Sequence, residues 1–156
     1  MISTIQAKPI DAVRYNPDRD ARVEVTLRMK RDELEKFEAF MSSGEWERAQ
    51  AAREAKLQDC VKSIEALFDT ARRHMGTSGG RVCATLLASL YNGDRVKMDV
   101  SDLKRLDAPL FEHALNTIRL CAETNTEPHQ FFENGGTHFE QMIADWGLEK
   151  KRRARR

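Results

Sequence analysis

No apolar run in this 156-residue chain exceeds a few residues, well short of the ~20 that span a bilayer, and its first 20 residues mix Lys8, Asp11, Arg14 and Asp18 where a signal peptide needs an apolar stretch. A membrane role and a secretory leader are therefore not expected, and the expected setting is cytoplasmic. Cysteine is scarce: Cys60, Cys83 and Cys121 are odd in number, far apart and each beside Val, Ala or Leu. They read as reduced core thiols, not as a disulfide framework. Aromatic residues make up only 7% of the chain and charged residues 33%, the composition of a soluble helical protein with much exposed surface. The length suits one domain with a real core, or a small core with an extended arm.

The charge is unevenly placed. Lys150, Lys151, Arg152, Arg153, Arg155 and Arg156 close the chain, and without them 20 Lys and Arg face 25 Asp and Glu. An acidic body thus ends in a basic tail over 149–156. Such a tail can bind phosphates or an acidic protein surface, or serve as a solvated end.

Residues 1–21, with Pro9, Asn16 and Pro17, have no sustained period and read as an arm. From residue 22 to 75 two periods follow in turn. Val23, Val25, Leu27 and Met29 alternate with Glu24, Thr26, Arg28 and Lys30, which predicts a strand buried on one face. Asp32 then caps a helix carrying Leu34, Phe37 and Met41, ended by Ser42, Ser43 and Gly44. A long helix is expected from Glu45 to about Met75, with Leu57, Val61, Ile64, Phe68, Ala71 and Met75 at alternating four- and three-residue spacing. Upstream the same register meets Glu54, Gln50 and Glu47, so a core-facing stripe is favoured over a coiled coil.

Gly76 to Gly80 breaks the chain, and short segments fill 81–148: a helix from Arg81 to Tyr91, an extended stretch through Val96, Met98 and Val100, a helical turn opened by Ser101 or Asp102, a helix led by Pro109, a short one led by Pro128, and a last one for which Thr137 and Glu140 form a capping box. The expected fold is mainly α: a small helical bundle with one N-terminal β-strand and one long helix.

Catalytic patterns are wanting. The glycine loop lacks the spacing, Lys and hydroxyl of a Walker motif. His74, His113, His129 and His138 show no helical zinc spacing, although His129 and His138 could approach across the Asn134–Gly136 turn with Glu133 or Glu140. No cofactor, metal or enzymatic activity is expected.

Two resemblances add expectations. Residues 22 to about 60, a strand followed by two helices joined at a Ser-Gly turn, loosely resemble the ribbon-helix-helix DNA-binding fold. That implies a homodimer in which Arg22, Glu24, Thr26 and Arg28 face the bases. In the second half, Leu86-Leu87-x-x-Leu90-Tyr91-Asn92-Gly93, Val100-x-Asp102-Leu103-x-x-Leu106-Asp107, Leu110-Phe111, Phe132-x-x-Gly135-Gly136 and Phe139-Glu140-x-Met142-x-x-Asp145-Trp146-Gly147 resemble a domain family of proteobacterial plasmid, phage and integrative-element proteins over residues 80–148. It implies a mobile-element setting and carries no activity over to this chain. The leading expectation is a non-catalytic protein that binds a host protein or ribonucleoprotein complex, in its sharpest form an anti-CRISPR-like inhibitor. Its candidate contacts are the acidic Glu45, Glu47 and Glu54 with the basic tail. The alternative is a dimeric DNA-binding regulator that uses Arg22, Thr26 and Arg28 together with the tail on DNA or RNA.

Overall fold

The computed structural model describes residues 6–8, 26 and 28–149. Arg22, most of the expected strand and the basic side chains of the tail lie outside these residues. Helix α1 spans Arg31–Ser42, α2 Glu45–Arg73, α3 Ser78–Tyr91, α4 Ala108–Thr124 and α5 Gly135–Trp146, with 3-10 turns over Val100–Arg105 and Pro128–Phe131. The mainly helical expectation holds. The described part of the expected strand, Thr26 and residues 28–30, pairs with nothing, and the sole β feature among the described residues is an antiparallel bridge between Ala7 and Phe132.

The C-terminal half of α2 is the spine of the core. Leu57, Val61, Ile64, Phe68 and Ala71 are buried as their spacing predicts, with Cys60 and Leu67 beside them. Helices α3 and α4 pack along this stripe, and α5 packs on α3. Phe68 lies at the centre, its ring 4.9 Å from that of Phe132 and 5.4 Å from Phe139. Burial of such aromatic rings is the largest apolar contribution a single side chain makes, and close ring pairs add to it.

Helix boundaries follow local chemistry, and several depart from expectation. Helix α1 is not capped by Asp32: its N-cap is Lys30, two residues earlier, whose backbone N–H donates to the Glu33 carboxylate at 3.1 Å. Gly44, at φ +69°, makes the left-handed turn into α2 that a side chain would strain. The glycine segment is less of a connector than its composition suggests. Only Gly76 takes a positive φ there, and α3 begins at Ser78 with the Thr77 hydroxyl accepting from the Gly80 N–H at 3.0 Å. A Cβ on Gly80 would meet the His74 carbonyl oxygen at 2.5 Å, so close packing explains that glycine.

Asp107 caps α4 by accepting from the Leu110 N–H at 2.9 Å, with Pro109 in the first turn as expected. The extended stretch ends in the 3-10 turn that Asp99 caps. The Thr137–Glu140 capping box is absent, because α5 starts at Gly135 and Thr137 already lies within its first turn. Residues 6–8 of the expected arm are docked: the Ala7 N–H donates to the Glu65 carboxylate, and the Lys8 N–H to the Phe131 carbonyl.

Candidate functional site

Three places could carry chemistry. In the first, Ser63 on α2 lies 3.1 Å from His113 Nδ1 and 3.4 Å from Asn116 Nδ2, both on α4. A serine beside a histidine is the start of a nucleophilic pair, but that chemistry needs a hydroxyl that substrate can reach. Ser63 is only 2% exposed, closed between the two helices. The trio instead satisfies a buried hydroxyl and ties α2 to α4.

Arg95 forms the second. Its guanidinium donates to both carboxylate oxygens of Glu140, at 2.6 and 2.9 Å, and also to Glu149. The Tyr91 hydroxyl donates to Glu140 at 2.9 Å. The Arg95 hydrogen bonds, then that from Tyr91, hold the Glu140 carboxyl below its ordinary range, and bonding to Glu140 raises the Tyr91 phenol. An open cleft of about 330 Å³ lies beside the cluster, lined also by Ile143 and Gly147. Because both carboxylates already occupy the guanidinium, the cluster works as a clasp between the 90s loop and α5.

No group of three His, Cys, Asp or Glu residues suited to a metal occurs among the described residues. The conceivable His129–His138 pair does not form such a group. His129 Nδ1 sits 3.2 Å from Glu127, and the His138 ring lies against Phe68. The thiols offer no nucleophile: burial pushes Cys83 and Cys121 up to about 12 and raises Cys60 as well.

The third place is different in kind. Helix α1 buries none of its residues, and Leu34, Phe37, Phe40 and Met41 are 40–42% exposed, with Trp46 at the start of α2 47% exposed. At 100° per residue the four α1 side chains fall within about a third of the helix circumference, an amphipathic stripe without a partner. The spacing of Leu34, Phe37 and Met41 marked this stripe in the sequence; that it stays uncovered could not be read there.

The acidic candidates lie on the first half of α2, joined to α1 at the Gly44 turn to form the exposed α1–α2 hairpin. Glu45, Glu47 and Glu54 are exposed on α2, but Arg48, Arg53 and Lys56 interleave with them. Residues 28–56 carry seven acidic and seven basic side chains, so no one-sign acidic face arises there. Thr26 and Arg28 are exposed just before α1. No helix among the described residues is long and apolar enough to cross a membrane.

These features define a helical core domain that carries an exposed helical hairpin. The model of DUF7673, a family of unknown function, matches residues 61–147, more than half of the chain. The chain belongs to that family. The match covers the 80–148 segment except for residue 148, and begins earlier, at Val61 in the middle of α2. It leaves the hairpin outside. No curated protein and no solved structure matches the chain.

Proposed function

We propose that this chain is a non-catalytic interaction protein in which the family domain is a scaffold and the α1–α2 hairpin is the binding element. One observation carries the reading: the apolar stripe of Leu34, Phe37, Phe40 and Met41 stands in solvent on a helix that buries none of its residues, and Trp46 at the start of α2 is exposed as well. Exposed aromatic and aliphatic clusters of this kind mark protein-binding surfaces. In its specific form, the protein belongs to a mobile element and inhibits a host defence complex, with Glu45, Glu47, Glu54 and the basic tail at the rim of the contact. A rim of mixed charge sets orientation and encounter rate more than affinity.

The test is capture of partners from a host lysate with the full chain, with and without nuclease, beside a Phe37→Asp variant. Stoichiometric capture of a protein that survives nuclease and is lost in the variant supports the reading. Capture that the variant leaves intact refutes the role of the hairpin.

The alternative is a DNA-binding regulator, favoured by the exposure of Thr26 and Arg28 immediately before α1. It requires affinity to fall about a thousandfold or more between ~50 and ~200 mM salt if six phosphates are contacted. Binding insensitive to salt excludes it.

A further inference from the structure

Residues 6–8 dock on the core, and we infer that the place they occupy is a strand-docking slot: this strap closes it from within the chain, and an extended peptide segment with a small residue where Ala7 stands takes it in trans. The inference is independent of the reading of the hairpin.

How the strap is held follows from strand geometry. The Lys8 N–H donates to the Phe131 carbonyl at 2.5 Å, and Ala7 faces Phe132 in an antiparallel bridge. That bond joins the neighbours of the facing pair, so Ala7 and Phe132 are a pair whose own N–H and C=O groups point away from each other. The Ala7 N–H therefore turns to the other side of the strap, where the Glu65 carboxylate accepts it. Two consecutive N–H groups are thus taken on opposite sides, one by a carbonyl and one by a carboxylate, which an extended backbone presents and a helical one does not. The side chains alternate in the same way: Gln6 and Lys8 are exposed, while Ala7 is half-buried against the core. Backbone pairing with a side chain read at every second position is how proteins take a peptide as an added strand.

The slot is built without the strap. Phe131 and Phe132 are buried, and the Phe132 ring packs against Phe68 and Phe139. The segment that carries them is fixed from behind: the Phe132 N–H donates to the His129 carbonyl at 3.1 Å, and a Cβ on Gly135 would overlap that carbonyl. Glu65 stands on α2 between the buried Ile64 and Leu67. All three parts fall inside the matched family residues 61–147, whereas the strap lies outside them. The domain therefore carries the slot, and a separate segment fills it.

The strap itself is lightly held. Among the described residues it gains two backbone hydrogen bonds and the cover of one methyl group, against the conformational entropy of ordering residues 6–8. Gains and costs of that size nearly cancel, so attachment decides the occupant: a segment of the same chain competes at an effective concentration on the order of millimolar. A free peptide meets that competition in the parent protein and escapes it once the strap is weakened. Proline is excluded at the positions of Ala7 and Lys8, where it has no N–H to give. A large side chain is excluded opposite Phe132, where the facing residues stand closest.

The experiment uses the full chain and, as probe, a fluorescent peptide of its residues 2–12, with binding read by anisotropy. In a Lys8→Pro chain, which lacks the N–H that Phe131 accepts, the strap should open and the peptide should bind at least tenfold more tightly than to the parent. The same peptide carrying Ala7→Trp or Lys8→Pro should bind the opened chain at least tenfold more weakly, and Glu65→Ala in the opened chain should weaken the unchanged peptide severalfold. A thermal transition shared with the parent shows that these chains are folded.

The parent supplies a reading that needs no variant. Its Ala7 and Lys8 amides should exchange with solvent more slowly than in the free peptide, and ~1 mM unlabelled peptide should remove that protection by displacing the strap. Protection that is absent, or unmoved by peptide, overturns the inference, as does a folded Lys8→Pro chain that binds no peptide. Equal affinity for parent and opened chain places the peptide elsewhere and overturns it too, and so does indifference to Ala7→Trp or Glu65→Ala. A parent of twice the 17.9 kDa chain mass that Lys8→Pro returns to a monomer would give the slot to the strap of a second copy, and overturns a foreign peptide as its occupant.

Discussion

Helix α2 passes through two environments without a break. Between Leu57 and Ala71 its apolar residues are buried under α3, α4 and the Phe132–Phe139 aromatic cluster, while from Glu45 to Lys56 every residue except the half-buried Gln50 is exposed. The backbone is the same helix throughout; what changes is whether an apolar partner lies against it, since the exposed stretch meets the core helices through polar contacts such as the Arg53–Glu123 ion pair at 3.4 Å. The family match falls close to this division, taking in residues 61–147 and leaving α1 and residues 45–60 of α2 aside. A helix can therefore be continuous as secondary structure and divided as a folding unit, since most helical stability in proteins comes from packing of one face.

The sharpest way to break that comparison is a large-to-small substitution on each side. Phe68→Ala removes the ring at the centre of the core and should destabilise the protein by about 3–5 kcal/mol in urea unfolding. Phe40→Ala, an equal deletion on the exposed stripe, should change monomer stability by no more than about 0.5 kcal/mol. Comparable losses at the two sites would show that α1 belongs to the core.

Trp146→Phe probes the same division more finely. The indole N–H donates to the buried Ala71 carbonyl at 3.0 Å, joining the end of α5 to the end of α2. Phenylalanine keeps most of the packing and leaves the carbonyl without that donor, which costs about 1–3 kcal/mol. Amide exchange should then quicken in the last turns of α2 and α5, with residues 45–56 unaffected. An equal change in both halves of α2 would contradict the division.

Much of the core was legible because it rests on local period. The alternating spacing from Leu57 to Ala71 marks the buried face of α2, Asp107 and Pro109 mark the start of α4, and Phe139, Met142, Ile143 and Trp146 mark the inner face of α5. The Met75 end of the seam failed: its side chain is 50% exposed, beyond the last turn of α2. Contacts distant in sequence left no such trace. Nothing in the spacing of Arg95 and Glu140, 45 residues apart, announces a bidentate pair, and the local spacing of Thr137 and Glu140 suggests a capping box instead. The Ser63–His113–Asn116 trio is hidden for the same reason. For the hairpin the difficulty is another one: a period of 3.6 residues reports that a helix has an apolar side and is silent on what covers it.

The Arg95 clasp supplies the smallest effect and ties one part of the division to pH. Glu140 is held below its ordinary range chiefly by the Arg95 guanidinium, so the folded carboxyl gives up its proton more readily than the unfolded one. Its contribution is then fully present above the unfolded value of about 4.3 and is lost as pH falls through the lower folded value. Because the Glu140 side chain is 45% exposed, solvent screening limits that contribution to roughly 0.5 kcal/mol or less. In Glu140→Gln the slope of stability against pH between about 3 and 5 should flatten slightly, while the stability at pH 7 falls by no more than that amount. Urea midpoints at half-unit pH steps would measure it. The clasp lies wholly within the core domain, so capture of partners at pH 7 should be the same in this variant as in the parent, whereas Phe37→Asp should abolish capture and leave the acid slope untouched. A variant at Glu140 that altered association would mean that the core and the hairpin are coupled through α2.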